Sequence, residues 1–419
     1  MLQLPKYSIG IGDRFAHQGS AQIEAVLRAH EKGIPLAPVW NKSHREHAIT
    51  GSEPGDVRVE ADNAVRARGW SGPYFVDADH IGLKTVDAFV ASSDFFTLDV
   101  ADSIGAAPSE DELARFLDRN KQHVGQLRIP GIDEPFEISE RTIEDAAGKF
   151  LVAVKEAGRI YRHVAQIKGA ESFITEVSMD ETHEPQTPTD LFFILAAVAE
   201  EGIPAQTIAP RFSGRFNKGV DYVGDPALFA EEFEQDLAVI ALAIERFGLP
   251  GNLKLSVHSG SDKFSIYGPM REALRKFDAG VHLKTAGTTW LEELIGLATA
   301  GGDGLEIAKE VYKVALSRFD ELCSPYASVI DIDRAALPTA EIVDCWSRDA
   351  FAATLRHDPL QEAYDANFRQ LLHVGYKVAA EMGERFAGAL EKHADVVAQN
   401  VTENILKRHI FPLFPKRES

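Results

Sequence analysis

The amino-acid sequence predicts a (β/α)8 barrel of the TIM type with a helical extension at its carboxyl end. Three observations point to it: short apolar, β-rich runs alternate with longer stretches of helical period, the runs number eight, and each closes on Gly, Pro, Asn or Asp signals. Strands that read as continuous apolar runs form parallel sheets covered on both faces, and eight βα units are the number that closes a barrel. A doubly wound open sheet is the alternative architecture for the same alternation.

The first strand lies in KYSIGIGDRF (6–15) and the helix after it in AQIEAVLRAHEKG (21–33), where Gly33 suits a helix C-terminus. PLAPVWNKS (35–43) and VEADNAVRARG (59–69) form the second pair, and PYFVDADH (73–80) and VDAFVASS (86–93) the third. DFFTLDVADS (94–103) is the fourth strand, followed by an acidic insertion with predicted helices from about residue 109 to 168. The remaining strands lie in SFITEVSMDET (172–182), AQTIAPRF (205–212), NLKLSVHSG (252–260) and GVHLKTAGTTW (280–290). The helices that follow them are TDLFFILAAVAEEG, ALFAEEFEQDLAVIALAIERFG, PMREALRKF and LEELIGLATA. IGIG at 9–12 is no dinucleotide fingerprint, because Phe15 stands where its third glycine would fall. From about residue 324 strand signals stop, and EAYDANFRQLLHVGYKVAAEMGERF and ADVVAQNVTENILKRH read as helices. The expected division is a barrel domain over 1–323 and a helical extension over 324–419 packed on it, joined by SPYASVIDIDRAALPT.

Composition narrows the function classes. Of 419 residues 45% are hydrophobic, ordinary for a globular chain, and the formal charge of −20 is the wrong sign for general adhesion to nucleic acid or an anionic membrane. MLQLPKYSIG has no cationic start leading into an apolar segment, and no stretch approaches a membrane span, so a cytoplasmic protein is expected. Cys323 and Cys345 form no CxxC pair, so any metal is held by His and carboxylates.

Active sites of such barrels gather at the carboxyl ends of the strands. Nearly every predicted strand ends in an ionisable group: Asp13 and Arg14, Lys42, Asp77 with Asp79 and His80, Asp99, Asp180 with Glu181, Arg211, His258 with Asp262 and Lys263, and finally His282 and Lys284. Among 14 histidines, His17, His30, His44, His47 and His123 read as surface residues. A single strand histidine is usually a core residue. Three together, His80, His258 and His282, can bind one divalent cation facially and leave positions open for a ligand, zinc first, with manganese, nickel or iron(II) as alternatives. Asp79 and the Asp180–Glu181 pair flank this set as acid/base candidates, with Asp77 and Asp180 read chiefly as ligand-orienting or loop-capping groups. Lys263, Arg211 and Lys284 offer positive charge to an acidic substrate, and Asp13 joins them as a substrate-binding candidate; Lys284 is alternatively a neutraliser of neighbouring acids.

At these residues the chain becomes recognisable. FVDADH (75–80), SMDETHEPQTP (178–188), RFSGRFNKGVDYVGD (211–225), SVHSGSDKFSIY (256–267) and HLKTAGTTWLEE (282–293), with a weaker match at RQLLHVGY (369–376), resemble the tagaturonate epimerase family. The resemblance implies a divalent-metal-dependent epimerase that interconverts D-tagaturonate and D-fructuronate at C4 in hexuronate catabolism. It implies His80, His258 and His282 as metal ligands, and it is the source of two roles, Asp79 as proton acceptor and Glu181 as proton donor. The expected partner is a small keto sugar acid; the oligomeric state is left open.

In such a substrate the C4 hydroxyl is β to the ketone, so the C4 hydrogen is not acidified. A retro-aldol route is more natural: O4 loses its proton, C3–C4 breaks to an enolate, the aldehyde rotates and the bond reforms on its other face. A metal-dependent aldolase or lyase would share the enolate. A non-catalytic sugar-acid-binding barrel and a Schiff-base aldolase using Lys284 fit the same residue types and stay open beside it.

Overall fold

A computed structural model describes residues 2–182, 184–285 and 287–416. Eight parallel strands, Tyr7–Ile11, Ala37–Ser43, Phe75–Ile81, Phe95–Asp99, Ile174–Ser178, Thr207–Ala209, Lys254–His258 and Val281–Lys284, close into a barrel in sequential order, the first pairing with the eighth. The open sheet is excluded. Inward positions form layers. At the amino-terminal end Ala37, Val39, Phe75, Phe95 and Ile174 make an apolar plug with Leu4, separate from the larger core between strands and helices. Lys254 reaches the backbone carbonyls of Leu4 and Pro5 from below, and burial lowers its ammonium to about 7. Above the plug the interior turns polar, with Asp77, Thr97, Glu176, His282 and Lys284 all buried. That polar interior holds the site.

The helix Gly19–Glu31 ends as predicted, with Gly33 at φ +79° just beyond it. The expected helix 86–93 is only a 3₁₀ turn, Val86–Ala88, because too few residues separate the third strand from the fourth for a helix and two loops. The insertion before the fifth strand contains a helix, Glu110–Asn120, and a small antiparallel hairpin, Gly125–Leu127 with Phe136–Ile138, which the helical reading of this segment does not include. Its last part is the long barrel helix Glu140–Lys168, started by a capping box of Ser139 and Thr142.

The carboxyl-terminal region is helical, and it wraps the flank of the barrel as well as its mouth. Ala394–Glu403 packs against Gly287–Ala300 and Gly19–Glu31, and a Cβ at Gly296 would come within 2.7 Å of the Val397 backbone, so only glycine allows that approach. A buried charge cluster fastens the region to the loop after the seventh strand. Asp262 accepts from Arg369 Nη2 at 2.8 Å and Thr288 Oγ1 at 3.1 Å, and meets His357 Nδ1 and His409 Nε2 at 3.1 Å each. Burial would raise the Asp262 carboxyl, but Arg369 and the two imidazoles hold it well below the usual carboxylate range.

Candidate active site

The third strand ends in a β-bulge. Ala78 pairs with Phe96, the next pair is Ile81 with Leu98, and His80 between them takes the left-handed φ of +52°. In a regular strand Asp79 and His80 would face opposite sides of the sheet; the bulge turns both toward the mouth.

There His80 meets His258, the last residue of the seventh strand, with ring centroids 5.0 Å apart. Asp180, just past the fifth strand, lies between them: its oxygens come within 3.4 Å of His80 Nε2 and 3.0 Å of His258 Nδ1. One donor atom from each of these three residues lies within 4.8 Å of the others, close to the limit of about 4.4 Å for atoms bonded at about 2.0–2.2 Å to a common cation. The far nitrogen of each histidine is held by a carboxylate, His80 Nδ1 by Asp79 at 2.9 Å and His258 Nε2 by Glu176 at 2.8 Å. His80 Nε2 and His258 Nδ1, the nitrogens facing Asp180, are buried and lack a hydrogen-bond partner. Carboxylate-backed imidazoles presenting free nitrogens to one point have the chemistry of a divalent-metal site.

Lys284 organises the floor. Its ammonium lies 2.8 Å from Asp77, 2.9 Å from Asp79 and 3.1 Å from Glu176, and donates to Thr97 Oγ1 at 2.5 Å. A Cβ at Gly10 would stand 2.9 Å from Lys284 Cγ, so glycine in the first strand makes room for this stem. Burial alone would discharge Lys284, but the three carboxylates hold its pKa well above the usual lysine range. Burial likewise pushes the carboxylates up; Lys284 then His80 bring Asp79 well below its ordinary value, and Lys284 then His258 do so for Glu176. Asp77 has less compensation and is pushed up to about 7, burial outweighing Lys284. With neutral imidazoles, Asp77, Asp79, Glu176 and Asp180 together outnumber Lys284 by up to three charges, a field that favours a cation between the histidines.

His282, expected as the third ligand, is not in this group. It lies one inward position below Lys284, with Nδ1 2.9 Å from Ser8 Oγ and its ring against Phe95 at 5.3 Å. Two residues along a strand are about 6.6 Å, which is why the eighth strand brings Lys284, paired in register with His258, to the level of the two histidines. Burial lowers His282 to about 3, so its imidazole is neutral. The third group beside His80 and His258 is Asp180.

A sequence model of tagaturonate epimerases matches residues 1–411. The chain belongs to the tagaturonate epimerase family. It is 30% identical to the tagaturonate/fructuronate epimerase of Thermotoga maritima, over 96% of this chain and 80% of that protein. The fold is shared with crystal structures of the fructuronate-tagaturonate epimerase from Cohnella laeviribosi. The form with two glycerols gives a TM-score of 0.79 at 24% identity, covering 97% of this chain and 82% of that one. The native form gives 0.78 at 23% identity, covering 97% and 81%. Membership of the tagaturonate epimerase family makes the chain an enzyme of the isomerase class, an epimerase.

The other expected site residues of this tagaturonate epimerase family member are placed as follows. Glu181 is exposed at the mouth beside Asp180, and Arg211 donates from Nη1 to the Asp180 carbonyl at 3.3 Å. Asp13 does not face the site as a free group: it accepts from the backbone N–H groups of Phe15, His17 and Gln18, shaping the first βα loop. Lys263 is spent inside the protein on the carbonyls of Asn217 (2.9 Å), Val220 (2.8 Å) and Asp262 (3.2 Å) and on Ser261 Oγ (3.1 Å), and burial lowers it to about 7. His47 and His123 are buried, not surface residues: the first bonds Ser52 Oγ at 2.9 Å, and the second packs against Phe192 and Phe247. Sequence reasoning missed Glu176, although an acidic residue inside the apolar run FITEVS is itself a signal, since a buried charge needs a partner.

Proposed function

We propose that this chain is a divalent-metal-dependent 4-epimerase interconverting D-tagaturonate and D-fructuronate, the pair named for its Thermotoga relative. The observation that carries the metal dependence is the convergence of His80, His258 and Asp180, with both histidines backed by carboxylates. The donor set suits zinc, with manganese, nickel or iron(II) as alternatives. When bound, such an ion supplies Lewis-acid stabilisation of the negative charge that develops on the substrate's ketone oxygen.

The chain's own residues supply the proton chemistry. Lys284 and His80 both bond Asp79 through Oδ1, which leaves Oδ2 to accept the O4 proton, and the positive charge of Lys284 keeps Asp79 in its acceptor form at neutral pH. Glu181, on the exposed loop, returns a proton from the opposite side. Between these transfers C3–C4 breaks, the aldehyde fragment rotates, and the bond reforms with C4 inverted. Two free cysteines and a small-molecule sugar-acid substrate support a cytoplasmic location. We retain the division into a catalytic barrel, 1–323, and a packed extension, 324–419.

The test is NMR of the purified, metal-loaded protein with a panel of ketohexuronates. The C4 epimer as sole product is the expected result. Accumulating three-carbon fragments would make the protein a lyase, and binding without turnover a sugar-acid receptor.

A further inference from the structure

His373 lies on the helix Ala366–Val374 of the carboxyl-terminal region, 1% exposed, and both of its ring nitrogens lack a hydrogen-bond partner. Its position is fixed by glycines of two barrel loops. A Cβ at Gly219 would lie 3.3 Å from His373 Cβ, and one at Gly287 would lie 2.6 Å from His373 Nε2. Gly287 N donates to Gly260 O at 3.0 Å, and the Lys218 ammonium comes within 3.8 Å of a Cβ at Gly260. From the other side comes Arg14, whose guanidinium stacks 4.2 Å over the ring of Tyr376, one helical turn beyond His373.

Four cations act on this imidazole, Arg14, Lys218, Arg369 and Lys263, and together with burial they hold it neutral. Arg369 and Lys263 are committed to Asp262 and to backbone carbonyls. The other two have capacity left. Arg14 bonds Glu46 through Nε at 3.0 Å while its Nη1 is buried and unpartnered, and the half-exposed Lys218 ammonium forms no ion pair among the described residues. The anion facing these groups is Glu46, which engages Arg14 through Nε and leaves Arg14 Nη1 and the Lys218 ammonium to receive a second. The pocket adjoins the acid/base floor, since Glu46 caps Ser43, the residue that pairs in register with Asp79.

We infer that Arg14, Lys218 and His373 form the subsite for the substrate's carboxylate. The assignment rests on the epimerase reading above. It moves anion recognition away from Lys263 and Lys284, both saturated internally. A guanidinium N–H, an ammonium and an imidazole N–H are donors for a carboxylate. A neutral imidazole has one further nitrogen that accepts, and it suits the hydroxyl on the carbon next to that carboxylate. The ligand chemistry is therefore an α-hydroxy carboxylate, and the carboxyl-terminal region contributes directly to substrate choice.

Lys218→Gln and His373→Gln test this on the full chain by two readouts. Titration calorimetry with gluconate, an unreactive α-hydroxy carboxylate, should show binding about tenfold weaker or worse in each variant, the loss of a charge-assisted hydrogen bond. Steady-state kinetics should show KM for the ketohexuronate raised with kcat largely kept, and the preference over the neutral ketohexose narrowed by a similar factor. Unchanged gluconate binding in Lys218→Gln, whose half-exposed side chain leaves the core intact, overturns the subsite whatever the activity. Equal losses on acid and neutral sugar would likewise overturn it in favour of a structural role. If the wild type epimerises no ketohexuronate yet gluconate binding falls in the variants, the function reading fails and the anion subsite stands.

Discussion

Replacing Asp180 by alanine, beside a separate His282→Ala, distinguishes the two donor sets available to the barrel mouth. Asp180 places its oxygens 3.0 Å from His258 Nδ1 and 3.4 Å from His80 Nε2, so its loss leaves two of the three grouped donors among the described residues. It also removes one negative charge from the field that draws the cation. Loss of a hydrogen-bond partner behind a ligand costs roughly 10–100-fold in metal affinity, and loss of a ligand itself should cost at least about a hundredfold. His282→Ala removes a buried ring that touches Ser8 and Phe95 one layer lower. That change should lower stability by about 2–4 kcal/mol, as other large-to-small core changes do, while metal is retained. The assay is elemental analysis after equilibration in graded metal buffers, with urea melts on the same samples. Full occupancy in Asp180→Ala together with metal loss in His282→Ala would refute the assignment and restore the three-histidine set.

Four further outcomes follow from the same floor and its surroundings. Lys284→Met should destabilise the protein by about 3–5 kcal/mol at pH 7, because Asp77, Asp79 and Glu176 lose their shared cation; denaturant melts should show part of the loss regained at lower pH as the carboxylates protonate. Asp79→Asn and Glu181→Gln should each slow epimerisation by roughly a hundredfold or more with metal retained. In deuterium oxide no label should enter C4 by the retro-aldol route, and deuterium there would refute carbon–carbon cleavage. Glu292, pushed up to about 7 by burial with Arg369 opposing, favours folding fully below its unfolded value near 4.5 and loses that contribution as pH rises through about 7. The loss is of order 3 kcal/mol, and Glu292→Gln should flatten the stability profile between pH 5 and 8; an unchanged slope would contradict a protonated Glu292.

The barrel was legible because its strands are short and nearly all apolar outside, so alternation with helices survives even where the interior is charged. The convergence of His80, His258 and Asp180 was legible in part, since strand ends of a barrel must meet. What could not be read was depth. His282 and Lys284 both face inward, two residues apart, and only the register that sets Lys284 against His258 decides which of them reaches the level of His80 and His258. Nor does the one-residue bulge at Asp79–His80 leave a local mark, because a bulge exists only relative to the neighbouring strand. The helical extension was legible as helices and not as part of the site. Yet Arg369 and His373 within the apolar pattern FRQLLHV carried a hint, for a helix buries such groups only against partners from elsewhere in the chain.

Those partners give the extension a physical reason to be there. Burying Asp262 uncompensated would be prohibitive, and Arg369, His357 and His409, which offset it, all come from beyond residue 340. The loop after the seventh strand carries His258 at its start and Asp262 four residues later, so the same loop serves the candidate metal site and the anchor of the extension. Loosening Asp262 should therefore disturb two things at once, the placement of His258 and the approach of His373 to Gly287. The placement of His258 and that of His373 thus depend on one buried charge cluster, Asp262 with Arg369, His357 and His409.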